Sequence, residues 1–303
     1  GDARLDGSVF DRYFIDLGVG ESGLELGATE LVSPTEGLIV HLDASSPESV
    51  SVDGSGNVTS WADLTVNGND AIPTPGDVPV SFPSENLSDK GLPGVDSDHS
   101  TARARMDLFS PQSAQDGWLD FAGSASGNTG FAILVAVQCD SFLGGSVRDV
   151  VMANHGTSPT SADHQLMIRC EQGTMMASLN GTVLETGSNL AAGRTVVLAL
   201  NYDAATGETV LWDSYNDTPV TAIVPADDFT GAGPMRLFGS PNGDQGMDGM
   251  IGEVKIYSRL LAGSEFVSER EAMKAKWADD FVPEPTMPIW WPDTLLDWEP
   301  HTD

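Results

Sequence analysis

Between positions 37 and 281 the apolar residues fall in short runs, each closed by Gly, Asn, Asp or Pro. The runs have the length of strands, not helices. Positions 131–138 are apolar almost without a break, as in a strand buried on both faces. Two pairs of runs read as hairpins: 164–170 with 175–179 around Gln172-Gly173, and 195–201 with 209–212 around 203–207. Runs at 37–42, 149–153, 235–239 and 249–257 complete the set. Strands at this density predict an all-β chain, a two-sheet antiparallel jelly-roll sandwich. One segment has a helical period. Over 264–277, Phe266, Arg270, Met273 and Trp277 share a face, Ser264 stands where an N-cap is expected, and Lys274 and Lys276 sit at the dipole's negative end.

The two ends do not follow this pattern. Residues 1–36 carry Phe10, Tyr13 and Phe14 in an acidic stretch with no clear period. Residues 282–303 hold Pro283, Pro285, Pro288, Pro292 and Pro300, which exclude a helix or a central strand. The same tail holds Trp290, Trp291 and Trp298, more apolar surface than a solvated linker carries. Both ends are expected to be extended arms that dock, either on the chain's own sandwich or on a sister subunit, with those six aromatics as assembly residues.

Charge narrows the function classes. The 303 residues contain 45 Asp and Glu against 14 Lys and Arg, a formal net charge of -31. A chain so acidic repels nucleic acid and anionic lipid alike. No apolar run is long enough for a transmembrane helix, so no membrane insertion is expected. No basic-then-apolar leader opens the chain; a leader already removed and a lost initiator Met both fit. The two cysteines, Cys139 and Cys170, form no metal or redox motif. They read as buried free thiols or as a disulfide between neighbouring strands.

An opening and a closing stretch carry a family resemblance. Gly37-Leu-Ile-Val-His-Leu-Asp-Ala44 leads to Asp53-Gly-Ser-Gly-Asn-Val-Thr-Ser-Trp61, then to Asp63 and Asn67-Gly-Asn-Asp-Ala71. Gly249-Met-Ile-Gly-Glu-Val-Lys-Ile-Tyr257 and the helix ending in Lys276-Trp277 form the close. Together they resemble the laminin-G-like, concanavalin A-like jelly-roll family, over roughly 37–281, with Thr65-Val66 a small departure. The resemblance implies the sandwich fold, places Trp61 and Trp118 in the core, and raises the expectation of a calcium ion at a loop rim. Asp63, Asn67, Asn69 and Asp70 in one turn-rich stretch, with Asp244 and Asp248 in another, are the candidate ligands, since calcium takes carboxylate and carbonyl oxygens. The same residues also suit plain turns stabilised by side-chain hydrogen bonds.

Catalytic chemistry finds little support. The Glu-x-Asp-x-x-Glu strand of related glucanases is absent, and so is a nucleophile elbow. The five histidines make no ligand pair, and His41 reads as a hydrogen-bonded core residue. Trp212 and Tyr215, just past a hairpin strand, are candidate glycan-stacking aromatics. The leading expectation is a non-catalytic, surface-displayed recognition protein, a phage virion component such as a decoration, fibre or spike subunit. It would be extracellular or on the virion surface, self-associate or join other particle subunits through its arms, and touch host glycans. The alternatives are a secreted carbohydrate-binding module and, third, a glycoside hydrolase or lyase.

Overall fold

The computed structural model describes residues 35–82, 86–87, 89–98, 103–108, 129–142, 149–155, 164–225, 235–240 and 246–279. The six assembly candidates Phe10, Tyr13, Phe14, Trp290, Trp291 and Trp298 lie outside the described residues, as do Trp118 and Asp244. In chain order the early strands are β1 (Leu38–Asp43), β2 (Val50–Val52), β3 (Val58–Trp61), β4 (Ala71–Pro73), β5 (Asn86–Leu87), β6 (Leu92–Pro93), β7 (Val95–Ser97) and β8 (Met106–Leu108). The long strands follow: β9 (Gly130–Cys139), β10 (Asp149–His155), β11 (His164–Glu171), β12 (Thr174–Leu179), β13 (Thr182–Glu185), β14 (Thr195–Asp203) and β15 (Glu208–Asp213). Last come β16 (Val220–Ile223), β17 (Met235–Leu237), β18 (Gly249–Tyr257) and helix α1 (Gly263–Trp277).

The strands form two antiparallel sheets and a small β5–β6 pair. The first sheet runs β1-β18-β9-β14-β15-β16, with β7 also on β18; the second runs β13-β12-β11-β10-β17-β8-β4-β3-β2. Strand alternation explains the architecture. In β9, Phe131, Ile133, Val135 and Val137 face the second sheet, where they meet residues such as Ile168 and Met152 in one core. The intervening Ala132, Leu134 and Ala136 face outward and pack under α1 with Phe266, Met273 and Trp277. The unbroken apolar run thus serves two cores at once. Burial of each of the three helix side chains is worth roughly 2 kcal/mol, and the small Ala132 and Ala136 let the helix approach.

Both expected hairpins form. The β11–β12 turn places Gln172 and Gly173 at φ 51° and 82°, as a two-residue primed turn requires. Gly207 closes the second at φ 74°, where a Cβ would overlap the Val224 carbonyl. The helix begins at Gly263, after an N-cap at Ala262, and has no side-chain cap bond. Ser264 therefore does not cap it; it sits inside the first turn. No helix among the described residues is long and apolar enough to cross a membrane.

Candidate functional site

The site grows from the end of β15. Asp213 is fully buried and holds the turn that follows. Its Oδ1 accepts the N–H groups of Tyr215 (3.0 Å) and Asn216 (2.7 Å), and its Oδ2 accepts the Ser188 hydroxyl. The Asn216 amide donates to the Thr186 carbonyl at 2.6 Å. Turn 214–217 is thereby tied to the 186–188 segment, and Tyr215 is held in one place.

Trp212 is a correction. Its side chain is fully buried, not available for stacking on a glycan. Leu211 faces the inter-sheet core, so alternation turns Trp212 to the outer face, beneath α1. There its indole N–H donates to Asp217 Oδ1 at 3.0 Å, and the Arg270 guanidinium lies 4.7 Å over its ring. It anchors the helix.

Tyr215 stays half-buried and lines a cleft of about 350 Å³ between the turn, the end of α1 and the 89–91 bend. Ser214, Tyr215 and Asp217 form one wall. Glu271 and Lys274 form another, and Ala275 and Ala278 leave the room between them. Lys90 and Asp279 close the end. Asp279 is fixed by the N–H groups of Asp89 (2.7 Å) and Thr195 (2.8 Å). Lys274 donates to Asp217 at 2.9 Å. Partial burial pushes the Asp217 carboxyl up, but hydrogen bonds from Lys274 and Trp212 outweigh it and hold the group below its ordinary value. The cleft is half open, lined by charged, polar and aromatic side chains, and its volume lies at the lower end of the range of small-ligand sites. Tyr215 is the one sequence candidate it contains. Lys90, Lys274 and Asp279 were not candidates. The Asp213-Ser-Tyr-Asn-Asp217 string, an acid-rich turn next to an aromatic, was the available signal.

A second polar cluster lies beside it, under the end of α1. The register of β18 slips between Ile251 and Glu253, a bulge that turns Glu253 from the core side to the helix side. Gly252 is required there, because a Cβ would overlap the Trp277 ring. Glu253 accepts from Trp277 Nε1 (2.5 Å) and Lys276 Nζ (2.8 Å) and meets His41 Nε2 at 2.9 Å. Burial acts to raise its carboxyl, but those three bonds bring it down to about 2. His41 belongs to this cluster at the sheet edge, half-buried, and not to the core. His41, Asp43 and Glu253 converge as metal ligands do, within 4.8 Å. Lys276 already bridges Asp43 (2.7 Å) and Glu253 (2.8 Å), so an ammonium holds the place of a cation.

The expected calcium ligands are used differently. Asp63 Oδ1 accepts from the N–H groups of His41 (2.9 Å) and Thr65 (3.0 Å). Its Oδ2 accepts from Thr65 Oγ1 (2.7 Å) and the Asn69 N–H (2.9 Å). These four bonds fill the carboxylate's lone-pair sites. Asp70 accepts the Asp63 N–H, while the Asn67 and Asn69 amides donate to the Ile39 carbonyl. Asp248 Oδ2 takes the Ser141 hydroxyl at 2.5 Å. Asp63 therefore offers calcium no oxygen that is not already hydrogen-bonded. Cys139 and Cys170 are free, buried thiols. They face each other from opposite sheets, not from neighbouring strands, and their mutual hydrogen bond, with burial, pushes the Cys139 thiol up.

No protein-family model matches the chain. No curated protein matches it either. Among solved structures, the binding domain of Paraclostridial Mosquitocidal Protein 1 aligns at TM-score 0.53 and 10% identity, over 80% of this chain and 53% of that one. The chain shares its β-sandwich fold. Domain 4 of a GH43 extracellular arabinanase from Geobacillus stearothermophilus, in complex with arabinotriose, aligns at 0.49 and 14% identity, over 77% of this chain and 98% of that one. Trypanosoma rangeli sialidase with sialic acid aligns at 0.47 and 12% identity, over 78% of this chain. The chain spans about a third (33%) of that sialidase's length.

Proposed function

We propose that this sandwich is a non-catalytic recognition domain that binds carbohydrate. One observation carries the reading: the Tyr215 cleft presents an aromatic ring, hydroxyl, ammonium and carboxylate groups around one hollow. Sugars need that mixture, since their rings stack and their hydroxyls both donate and accept. Two things support it further. The fold is shared with a toxin's binding domain, and the charge of -31 favours a soluble, displayed surface. We also assign the chain to the laminin-G-like family, on the phrases at 37–71 and 249–277.

The setting we propose is a surface assembly, a phage virion subunit attached through residues 1–36 and 282–303. A secreted binding module is the competing setting. Light scattering on the intact chain separates them: a defined oligomer fits a subunit, a monomer fits a module. An immobilised-glycan screen, run beside a sugar-release assay on the same glycans, tests the function itself. Binding without release is the expected outcome. Release of product would make the protein an enzyme and overturn the non-catalytic reading.

A further inference from the structure

The charges around the Tyr215 cleft say more about its ligand than its shape does. Asp217, Glu271 and Asp279 line it against Lys90 and Lys274. One of those two ammonium groups, that of Lys274, is bonded to Asp217 at 2.9 Å. None of the described lining residues is an arginine, the side chain whose planar fork suits a ligand carboxylate or sulfate. The chain's charge of -31 adds a repulsive field for any anion. A neutral polyol meets the opposite situation. Its hydroxyls can donate to exposed oxygens of Glu271 and Asp217, and its oxygens can accept from Lys274. Its apolar ring face can lie on Tyr215.

We infer that the cleft selects uncharged, hydroxyl-rich saccharides and rejects uronic, sialic and sulfated ones. This rests on the carbohydrate-binding reading above. Neutral pentose or hexose units of a polysaccharide are the ligand class.

The test uses the intact chain and calorimetric titration at low and high salt. The neutral probes are cellopentaose, xylopentaose and arabinopentaose; the acidic ones are pentagalacturonate and sialyllactose. Ala275 lies on an exposed position of α1 at the cleft wall, so Ala275→Trp fills the hollow with the helix surface otherwise unchanged. The expected result is binding of at least one neutral probe, insensitive to salt and weakened by about tenfold or more in Ala275→Trp. Tyr215→Phe should bind nearly as wild type, since it keeps the ring. Acidic probes that bind, weaken with salt and are lost in Ala275→Trp would overturn the inference yet leave carbohydrate binding standing. Binding of no probe, or binding that Ala275→Trp leaves intact, would overturn the assignment of this cleft as a saccharide site and the inference with it.

Discussion

Two turns of this molecule are built around one aspartate each, and they differ in what they hold up. Asp63 gathers the N–H groups of His41, Thr65 and Asn69 and the Thr65 hydroxyl, and closes a loop on itself. Asp213 gathers the N–H groups of Tyr215 and Asn216 and the Ser188 hydroxyl, and holds a tyrosine at the edge of a cleft. In sequence the first turn is the more conspicuous, with four Asn or Asp residues between 63 and 70. In space it carries nothing outward, because its best oxygens are already satisfied. An acid-rich turn is a site only when the structure leaves some of its groups facing a hollow.

Replacing the buried anchor should have the largest effect. Asp213→Ala removes a fully buried carboxylate that is the acceptor for the Tyr215 and Asn216 N–H groups and the Ser188 hydroxyl. A loss of about 4 kcal/mol is expected in urea unfolding, together with loss of ligand binding at the cleft. A loss under about 1 kcal/mol would mean that solvent reaches the turn and replaces the carboxylate.

A third carboxylate sharpens the contrast, because Glu253 is held by side-chain donors and cations where the two aspartates are held mostly by backbone. Its folded value of about 2 lies below the ordinary 4.5. Such a depressed group stabilises the fold fully above about pH 4.5, and the contribution disappears as pH falls through about 2. The amount is on the order of 3 kcal/mol. Glu253→Gln should therefore flatten the acid limb of the stability curve while lowering the plateau at neutral pH. An unchanged acid limb would remove Glu253 from that role.

The fold was legible because its signals are local. The continuous run 131–138, the Gln172-Gly173 turn and the helical period ending at Trp277 each declare their element without knowing the rest of the chain. The place of Trp212 is not legible in the same way. Its burial depends on α1, some fifty residues later in the chain, lying over that face of the sheet. The cleft was nearly invisible, since Lys90, Tyr215, Lys274 and Asp279 come from three separate stretches. The stretches that carry the resemblance mark mostly packing: Trp61 is core, Asp63 staples a loop, and Gly252 makes room for Trp277. Only the closing helix among them reaches the cleft, through Glu271, Lys274 and Ala275.

The smaller effects belong to the Asp63 loop. Asp63→Ala should cost about 2 kcal/mol, less than Asp213→Ala, because solvent can reach part of a surface loop to replace the lost bonds. Calcium should do nothing there. A metal would have to displace the N–H groups of His41, Thr65 and Asn69 from oxygens they already occupy, and each displaced backbone donor would need a new partner. Thermal unfolding in excess calcium and in chelator should thus give the same midpoint for the wild type. A calcium-dependent rise that Asp63→Ala removes would show that the loop opens to bind a metal. The two aspartate turns would then differ in their ligand and not in whether they have one.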